Sequence, residues 1–195
     1  MPGQSGLPDA LSAELKRAGY RIYDGAASMS NIIQVLSHDG GVHVLHVLAH
    51  GTFRRKDQQT ALLLEDPSGR ADRAKDDTIV TLLKAVGSLP HLVFLAACES
   101  ARRDSQDRNP FVGLAPKLVQ VGVPAVVAMQ DLVSTVTARQ LSRDFYHYLL
   151  EHGVVDKAMN QARLWLYEAG QPDWAVPVLF MRLRNGQLFA REPRA

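Results

Sequence analysis

Apolar and polar positions follow two different periods along the chain, which predicts helices separated by strands. Apolar residues recur at helical spacing in the stretches 7–18, 28–36, 78–86, 111–121, 134–151 and 154–169. Shorter apolar runs predict strands at 20–23, 42–49, 60–65, 92–97, 125–129 and 174–183. The last of them is expected to pair through Asn185-Gly186 with 187–190. The charged segments 51–59, 66–77 and 100–110 predict loops.

Three of these strands, 42–49, 92–97 and 125–129, are almost continuously apolar. Strands that are buried on both faces do not alternate, and such strands belong to parallel sheets. Helices between successive strands supply a layer for each face. The sequence therefore predicts an α/β fold, a three-layer α/β/α sandwich with a mainly parallel sheet.

The same three strands are each followed by residues that are capable of chemistry. His50-Gly51 follows the first, Cys98 follows the second, and Gln130-Asp131 follows the third. Ligands of such sheets bind beyond the carboxyl ends of the strands, which meet at one edge. We therefore expect the candidate site at this edge.

Cys98 is the only cysteine of the chain, so an internal disulfide is excluded and a reducing cytoplasm is indicated. A lone cysteine in an apolar strand is usually a small buried hydrophobe. Cys98, however, lies where apolar residues give way to the polar segment 99–103. At that position a nearby imidazole can activate the thiol as a nucleophile.

The histidines at 43, 46 and 50 have a spacing that would form a zinc face on a helix. The β-branched and apolar residues between them favour a strand, on which His43 points away from His46 and His50. His43 and His46 are then packing residues, and His50 is the candidate for proton transfer. Gly51 has two interpretations: a turn residue with positive φ, or a backbone N–H that approaches a substrate oxygen. The sequence implies neither a metal nor a cofactor.

Composition excludes several classes of protein. The chain has 195 residues, which suits a single domain over 1–195, and a formal charge of +2, too small to indicate nucleic-acid binding. It contains neither a membrane-spanning run nor a signal peptide at its N-terminus. We expect a cytoplasmic protein.

The stretches around His50 and Cys98 resemble the paired motifs of caspase-like peptidases, a group that includes gingipains, legumains and separases. Within it the chain is most similar to a CHAT domain, a module often attached to tetratricopeptide repeats. The likeness runs from about 42 to 183 and rests on the order of the segments 47–53, 93–100, 113–128, 145–149, 158–163 and 172–174.

The resemblance implies a Cys–His dyad in which the Cys98 thiolate attacks a peptide carbonyl and His50 assists proton transfer to the leaving amine. The N–H groups of Gly51 and Cys98 would form the oxyanion hole. By family analogy alone, a role in bacterial defence follows.

The family pattern Leu-Trp-x-Val-x-Asp after the strand 125–129 is altered in this chain. Gln130 replaces the tryptophan and Ser134 the final aspartate, whereas Asp131 remains at the mouth of the site. A carboxylate there can pair with a substrate guanidinium, which implies cleavage after Arg or Lys. Equally open is the alternative that Asp131 only caps the helix that begins near Ser134.

Caspase-like sheets begin with a strand before the first helix, and this chain leaves no room for it. Either the topology is rearranged or the chain is a fragment of a longer protein, and we expect the latter. A gap within the sheet would expose unpaired backbone groups, so we expect a partner or an appended sensor or repeat region to complete the sheet and control a cysteine endopeptidase. The alternative is a degenerate module that binds a protein without cutting it. A third possibility is an unrelated α/β domain with a structural cysteine.

Overall fold

A computed structural model describes residues 9–17, 19–54, 59–96, 110–131 and 133–189. Its helices are α1 (Asp9–Arg17), α2 (Met29–Leu36), α3 (Asp76–Ala85), α4 (Pro110–Gln120), α5 (Thr135–His152) and α6 (Val155–Glu168). Its strands are β1 (Val44–Leu48), β2 (His50–Arg54), β3 (Gln59–Glu65), β4 (Ala71–Lys75), β5 (Leu92–Ala96), β6 (Ala125–Met129) and β7 (Pro177–Met181). Within these ranges, no helix has the length and apolar character to cross a membrane.

The main sheet has four strands in the order β1, β5, β6, β7. The first three run parallel, and β7 runs antiparallel to β6. Every residue of β5 and β6 is buried, which explains why both strands are apolar at each position. The predicted α/β fold with a mainly parallel sheet is confirmed.

Helices cover both faces of this sheet. On one face the ring of Phe94 packs against Phe145 of α5, with centroids 5.5 Å apart, and α6 packs on α5. On the other face Val93 and Leu95 line a space that side chains of α2, α3 and α4 close. Because successive side chains of a strand point to opposite faces, one strand supplies the core of both layers.

The strands β2, β3 and β4 form a second, antiparallel sheet. It includes parts of the segments 51–59 and 66–77, so the prediction of these segments as loops is wrong there. The sequence did not predict β4, because this strand is mostly polar and Ala74 is its only buried residue. Backbone pairing with β3 holds this strand instead. The turn between them is closed by Asp66, whose Oδ1 accepts from the backbone N–H groups of Ser68 and Arg70 at 2.8 and 2.9 Å.

Two short predicted strands are wrong. Residues 20–23 form no strand, and the Tyr23 hydroxyl is instead hydrogen-bonded to Nε2 of His38 at 2.9 Å. The hairpin that was expected to pair 187–190 with the last strand is absent from the described residues, because Gln187 forms its bridge with Val154. Neither segment pairs with a strand within the described ranges, so local side-chain and backbone contacts decide their paths.

β1 lies at one end of the main sheet and pairs directly with β5. The described strands therefore contain no interior gap, and the unpaired side of β1 is an outer edge. Leu48 of β1 is 37% exposed, whereas all of β5 is buried. A strand that completes the sheet, if one exists, would add outside β1.

Candidate functional site

The carboxyl ends of β1, β5 and β6 lie at one edge of the main sheet, because these strands are parallel. His50 lies two residues beyond the end of β1, and Asp131 lies two residues beyond the end of β6. Cys98, two positions after β5, falls outside the described residues. The structure thus places two of the predicted site residues at the expected edge, on the strands that flank β5.

The strand register relates these positions to one another. Leu48 pairs with Ala96, so residues of β1 pair with residues 48 positions later, and Leu95 pairs with Ala128, 33 positions later. The same 48 positions separate residues 50 and 98 in the sequence, and the same 33 separate 98 and 131. Register and sequence spacing therefore agree across all three strand ends.

His50 stands where the main sheet passes into the second sheet. It is the first residue of β2 and pairs with Leu63 of β3. The residue before it, Ala49, still donates its N–H to the carbonyl oxygen of Ala96 at 3.2 Å, so the pairing with β5 extends up to His50. The side chain is half-buried and its Nδ1 atom is buried. Pairing with both sheets thus fixes the backbone position of His50.

Gly51 is the second residue of β2 and pairs with Leu62 of β3. The interpretation of Gly51 as a turn residue is therefore wrong, because the chain continues as a strand at this point. The other interpretation, a backbone N–H that approaches a substrate oxygen, stays a prediction.

The alternative that Asp131 caps the next helix is also wrong. Ser134 is the N-cap of α5, and its Oγ accepts from the N–H of Thr137 at 3.0 Å. Asp131 lies three positions earlier and is exposed at the sheet edge. Ser134 thus has a structural role in this chain, and the carboxylate of Asp131 is not the helix cap.

His46 is a packing residue, as predicted. Its ring stacks on Phe94 with centroids 4.7 Å apart, and its Nδ1 is hydrogen-bonded to the hydroxyl of Tyr146 at 3.0 Å. Its Nε2 is buried with no hydrogen-bond partner among the described residues. Burial lowers the pKa of His46 from 6.5 to about 4, so the imidazole is neutral in the folded protein near pH 7.

Because the folded-state pKa of His46 lies below the unfolded value, the unfolded chain binds more protons between pH 6.5 and about 4. The contribution of His46 to stability is complete above pH 6.5 and is lost as the pH falls toward 4. We expect the free energy of unfolding, measured with urea, to drop by about 2 kcal/mol between pH 7 and pH 5 through this residue. Tyr146, whose pKa burial raises, stays neutral over this range.

The variant His46→Gln should remove that part of the pH dependence, and His38→Gln, at an exposed histidine, should retain it. Equal slopes of unfolding free energy against pH for wild type and His46→Gln would contradict the prediction.

His43 is exposed and precedes β1, and its ring lies edge-on to His91 with centroids 5.3 Å apart. It packs on another ring, as predicted, although at the surface rather than in the core. The three neighbouring histidines thus occupy different environments. Within the described ranges, no group of three His, Cys, Asp or Glu side chains is placed to hold a metal ion.

The sequence analysis missed one part of this edge, the segment between α6 and β7. Gln130 donates its backbone N–H to the carbonyl oxygen of Val176 at 3.0 Å and its side-chain Nε2 to that of Ala175 at 2.9 Å. The N–H of Ser134 donates to Oδ2 of Asp173 at 2.9 Å. Three hydrogen bonds therefore join this segment to the loop that carries Asp131.

Trp174 lies between these hydrogen-bonded residues and forms an aromatic pair with Tyr167 of α6 at the surface. The ring of Trp174 meets that of Tyr167 edge-on, with centroids 5.3 Å apart, and the two residues are 39% and 60% exposed. The motif Pro172-Asp-Trp174 was the available signal, since an exposed tryptophan beside a strand end is typical of binding surfaces.

Comparison with known proteins adds one finding. A protein-family model described as "CHAT domain" matches residues 11–191. No curated protein sequence matches the chain.

Proposed function

Because the chain belongs to the CHAT domain family, a caspase-like, peptidase-related group, we propose that it is a cysteine endopeptidase that cleaves a protein substrate after arginine or lysine. Cys98 is the nucleophile, and His50 protonates the leaving amine. The N–H groups of Gly51 and Cys98 stabilise the oxyanion, and Asp131 binds the basic side chain of the substrate.

The observation that carries this proposal is the agreement between strand register and sequence spacing. Leu48 and Ala96 are register partners, and neighbouring strands lie about 4.8 Å apart. The strands on both sides of β5 are followed by candidate residues, an imidazole at 50 and a carboxylate at 131, and in the sequence Cys98 comes two positions after β5.

Asp131 supports the preference for a basic substrate. It is exposed at the same edge, and the loop after it is fixed by the Ser134 cap and by the hydrogen bond to Asp173. A carboxylate on a fixed loop can take a guanidinium in bidentate geometry, whereas an ammonium binds it as a point charge. We therefore infer that arginine is bound better than lysine.

The test is a panel of fluorogenic peptides that differ only in the residue before the cleaved bond: arginine, lysine or aspartate. We expect cleavage of the arginine peptide, slower cleavage of the lysine peptide and none of the aspartate peptide. Asp131→Asn should lower kcat/KM for the arginine peptide about fivefold, because it removes one charge of a solvent-exposed pair. An equal rate for all three peptides would overturn the assignment of Asp131.

An arginyl chloromethyl ketone provides a second readout that needs no turnover. It should add one label to the wild-type chain, detected by mass spectrometry, and none to Cys98→Ala. A chain that cuts no peptide and takes no label, both with and without its partner or appended region, supports the alternative of a degenerate module that binds a protein without cutting it. The substitutions Gln130 and Ser134 motivate that alternative, although both have structural roles here.

Control of the activity by a partner protein or an appended region is part of the proposal. The outer edge of β1 supports it, since this strand carries neither proline nor lysine, residues that commonly protect sheet edges. Its end precedes His50 by two positions, so a strand added there would contact the backbone next to the proposed dyad. The single cysteine supports a reducing compartment such as the cytoplasm.

A further inference from the structure

The dipeptide Asn185-Gly186 lies beyond the end of β7 and connects that strand to the segment 187–189. It is the only place in the chain where a glycine follows an asparagine. Asn185 is exposed, and Gly186 has a φ of +68°, a conformation that glycine adopts without strain. Because glycine has no Cβ, its backbone nitrogen is open to the side chain that precedes it.

The side chain of Asn185 is folded back over the backbone that follows it. Its Oδ1 accepts a hydrogen bond from the N–H of Gln187 at 3.2 Å, which forms an Asx turn. The nitrogen of Gly186 lies between these two residues in the chain, so the turn holds Cγ of Asn185 close to it. A donor on Oδ1 also stabilises the negative charge that develops on this oxygen when a nucleophile adds to Cγ.

A carboxylate from the first turn of α6 lies against the same dipeptide. A Cβ at position 186 would overlap Oδ1 of Asp156, so this oxygen is in contact with the Cα of Gly186. The same oxygen is buried and has no hydrogen-bond partner among the described residues. Buried polar atoms are normally hydrogen-bonded, so an unpartnered carboxylate oxygen calls for an explanation. The N–H of Gly186 is one bond from that Cα, within reach of a base at this position.

We propose that Asn185 is a site of self-catalysed deamidation in which Asp156 acts as the base. The carboxylate of Asp156 takes the proton of the Gly186 N–H while that nitrogen forms a bond to Cγ of Asn185, which closes a five-membered succinimide ring. The bond from Cγ to Nδ2 breaks, and the amide group leaves as ammonia with the proton that Asp156 returns. Water then opens the ring at either carbonyl, which leaves aspartate or isoaspartate at position 185.

The modification changes the contacts of the segment after β7. The carbonyl oxygen of Gly186 accepts from the N–H of Val155 at 2.8 Å, and the N–H of Leu188 donates to the carbonyl oxygen of Gly153 at 2.8 Å. Isoaspartate adds one atom to the backbone before Gly186, so these hydrogen bonds lose their alignment. Either product also places a second negative charge beside Asp156. We expect faster exchange of the amide hydrogens of Val155 and Leu188 in the modified chain.

The experiment follows the chain during incubation at neutral pH in one buffer, with mass spectrometry of its tryptic peptides. Replacement of the amide by a carboxylate shifts the mass of the peptide that contains Asn185, and chromatography separates the two isomers. We expect the folded wild type to deamidate about tenfold faster than the same chain unfolded in concentrated urea, and Asp156→Asn to slow the folded chain about tenfold. The factor is modest because a carboxylate is a weak base toward an amide N–H.

The chain supplies its own controls. Asn31 and Asn160 lie inside α2 and α6 and precede residues other than glycine, so they should stay unmodified over the same period. Asn185→Ser should abolish the mass shift. Glu151→Gln, which removes an exposed carboxylate elsewhere, should leave the rate unchanged. Asp156→Asn should keep the amide exchange of Val155 as in the wild type, which separates proton transfer from a change in the turn.

Two outcomes would overturn the proposal. Slower deamidation in the folded wild type than in urea would show that the fold protects Asn185. An unchanged rate in Asp156→Asn would reject Asp156 as the base. No step involves the proposed peptidase dyad, so Cys98→Ala should deamidate at the wild-type rate, and failure of the proposed function would leave the deamidation site intact.

Discussion

Cys98→Ala is expected to lower kcat for the arginine peptide by at least about 10⁴-fold, because no other side chain can replace the thiolate as the nucleophile. Since Cys98 is the only cysteine, iodoacetamide should inactivate the wild type with one alkyl group per chain. The measurements are initial rates of peptide cleavage and the mass of the intact protein after alkylation.

A structural cysteine predicts the opposite outcome for the same variant. Removal of a buried sulfur would lower the midpoint of thermal unfolding, while any peptide cleavage would continue. A nucleophile at the end of a strand predicts a nearly unchanged midpoint together with lost cleavage. Cleavage that survives Cys98→Ala would exclude the assignment of Cys98 as the nucleophile.

His50→Gln is expected to reduce kcat about 10³-fold and to leave KM nearly unchanged, because the imidazole transfers a proton and does not hold the substrate side chain. The measurement is the separate determination of kcat and KM for the arginine peptide. Added imidazole should partly restore the activity of His50→Ala, which a purely structural histidine would not show.

His46→Gln is the matched control for this prediction, since His46 lies only four positions earlier and is a packing residue. At pH 7 its kcat should stay within about threefold of wild type. If His46→Gln lost as much activity as His50→Gln, disturbance of the strand would explain both results, and the role of His50 in proton transfer would be rejected.

The parts of the fold that were predicted from the sequence are those in which apolar residue types coincide with buried positions or a polar residue type coincides with a helix cap. β6 was predicted at 125–129 with the observed bounds, because all five residues are apolar and buried. α2 begins after Ser28, a residue type that commonly caps helices, and the Oγ of Ser28 accepts from the N–H of Asn31 at 3.2 Å. In both cases a local physical preference agrees with the tertiary environment.

The parts that were missed depend on pairing rather than on pattern. β4 carries one buried residue and exists because β3 lies beside it. The tyrosines of 20–23 suit a strand, but none of the described strands pairs with that segment. Hydrogen-bond partners that are distant in sequence leave no periodic trace, so neither outcome could be read from local residues.

The candidate site shows the same division. The rule that ligands bind at the carboxyl ends of parallel strands was enough to group His50 and Asp131. It does not specify register, and so it could not show that the separations of 48 and 33 positions match the strand pairing. The hydrogen bonds that join the segment before β7 to the loop of Asp131 depend on partners distant in sequence, so the rule could not show them either.

The shared register also determines where this chain tolerates changes in length. Side chains alternate between the faces of a strand, so deletion of one residue inside β1 or β5 would turn every following side chain to the opposite face and break the alignment of the strand ends. The loop between α3 and β5, by contrast, can gain or lose residues at low entropic cost and leave the alignment intact. Insertions and deletions compatible with function should therefore accumulate between the strands of the main sheet, and the strands themselves should keep a constant length.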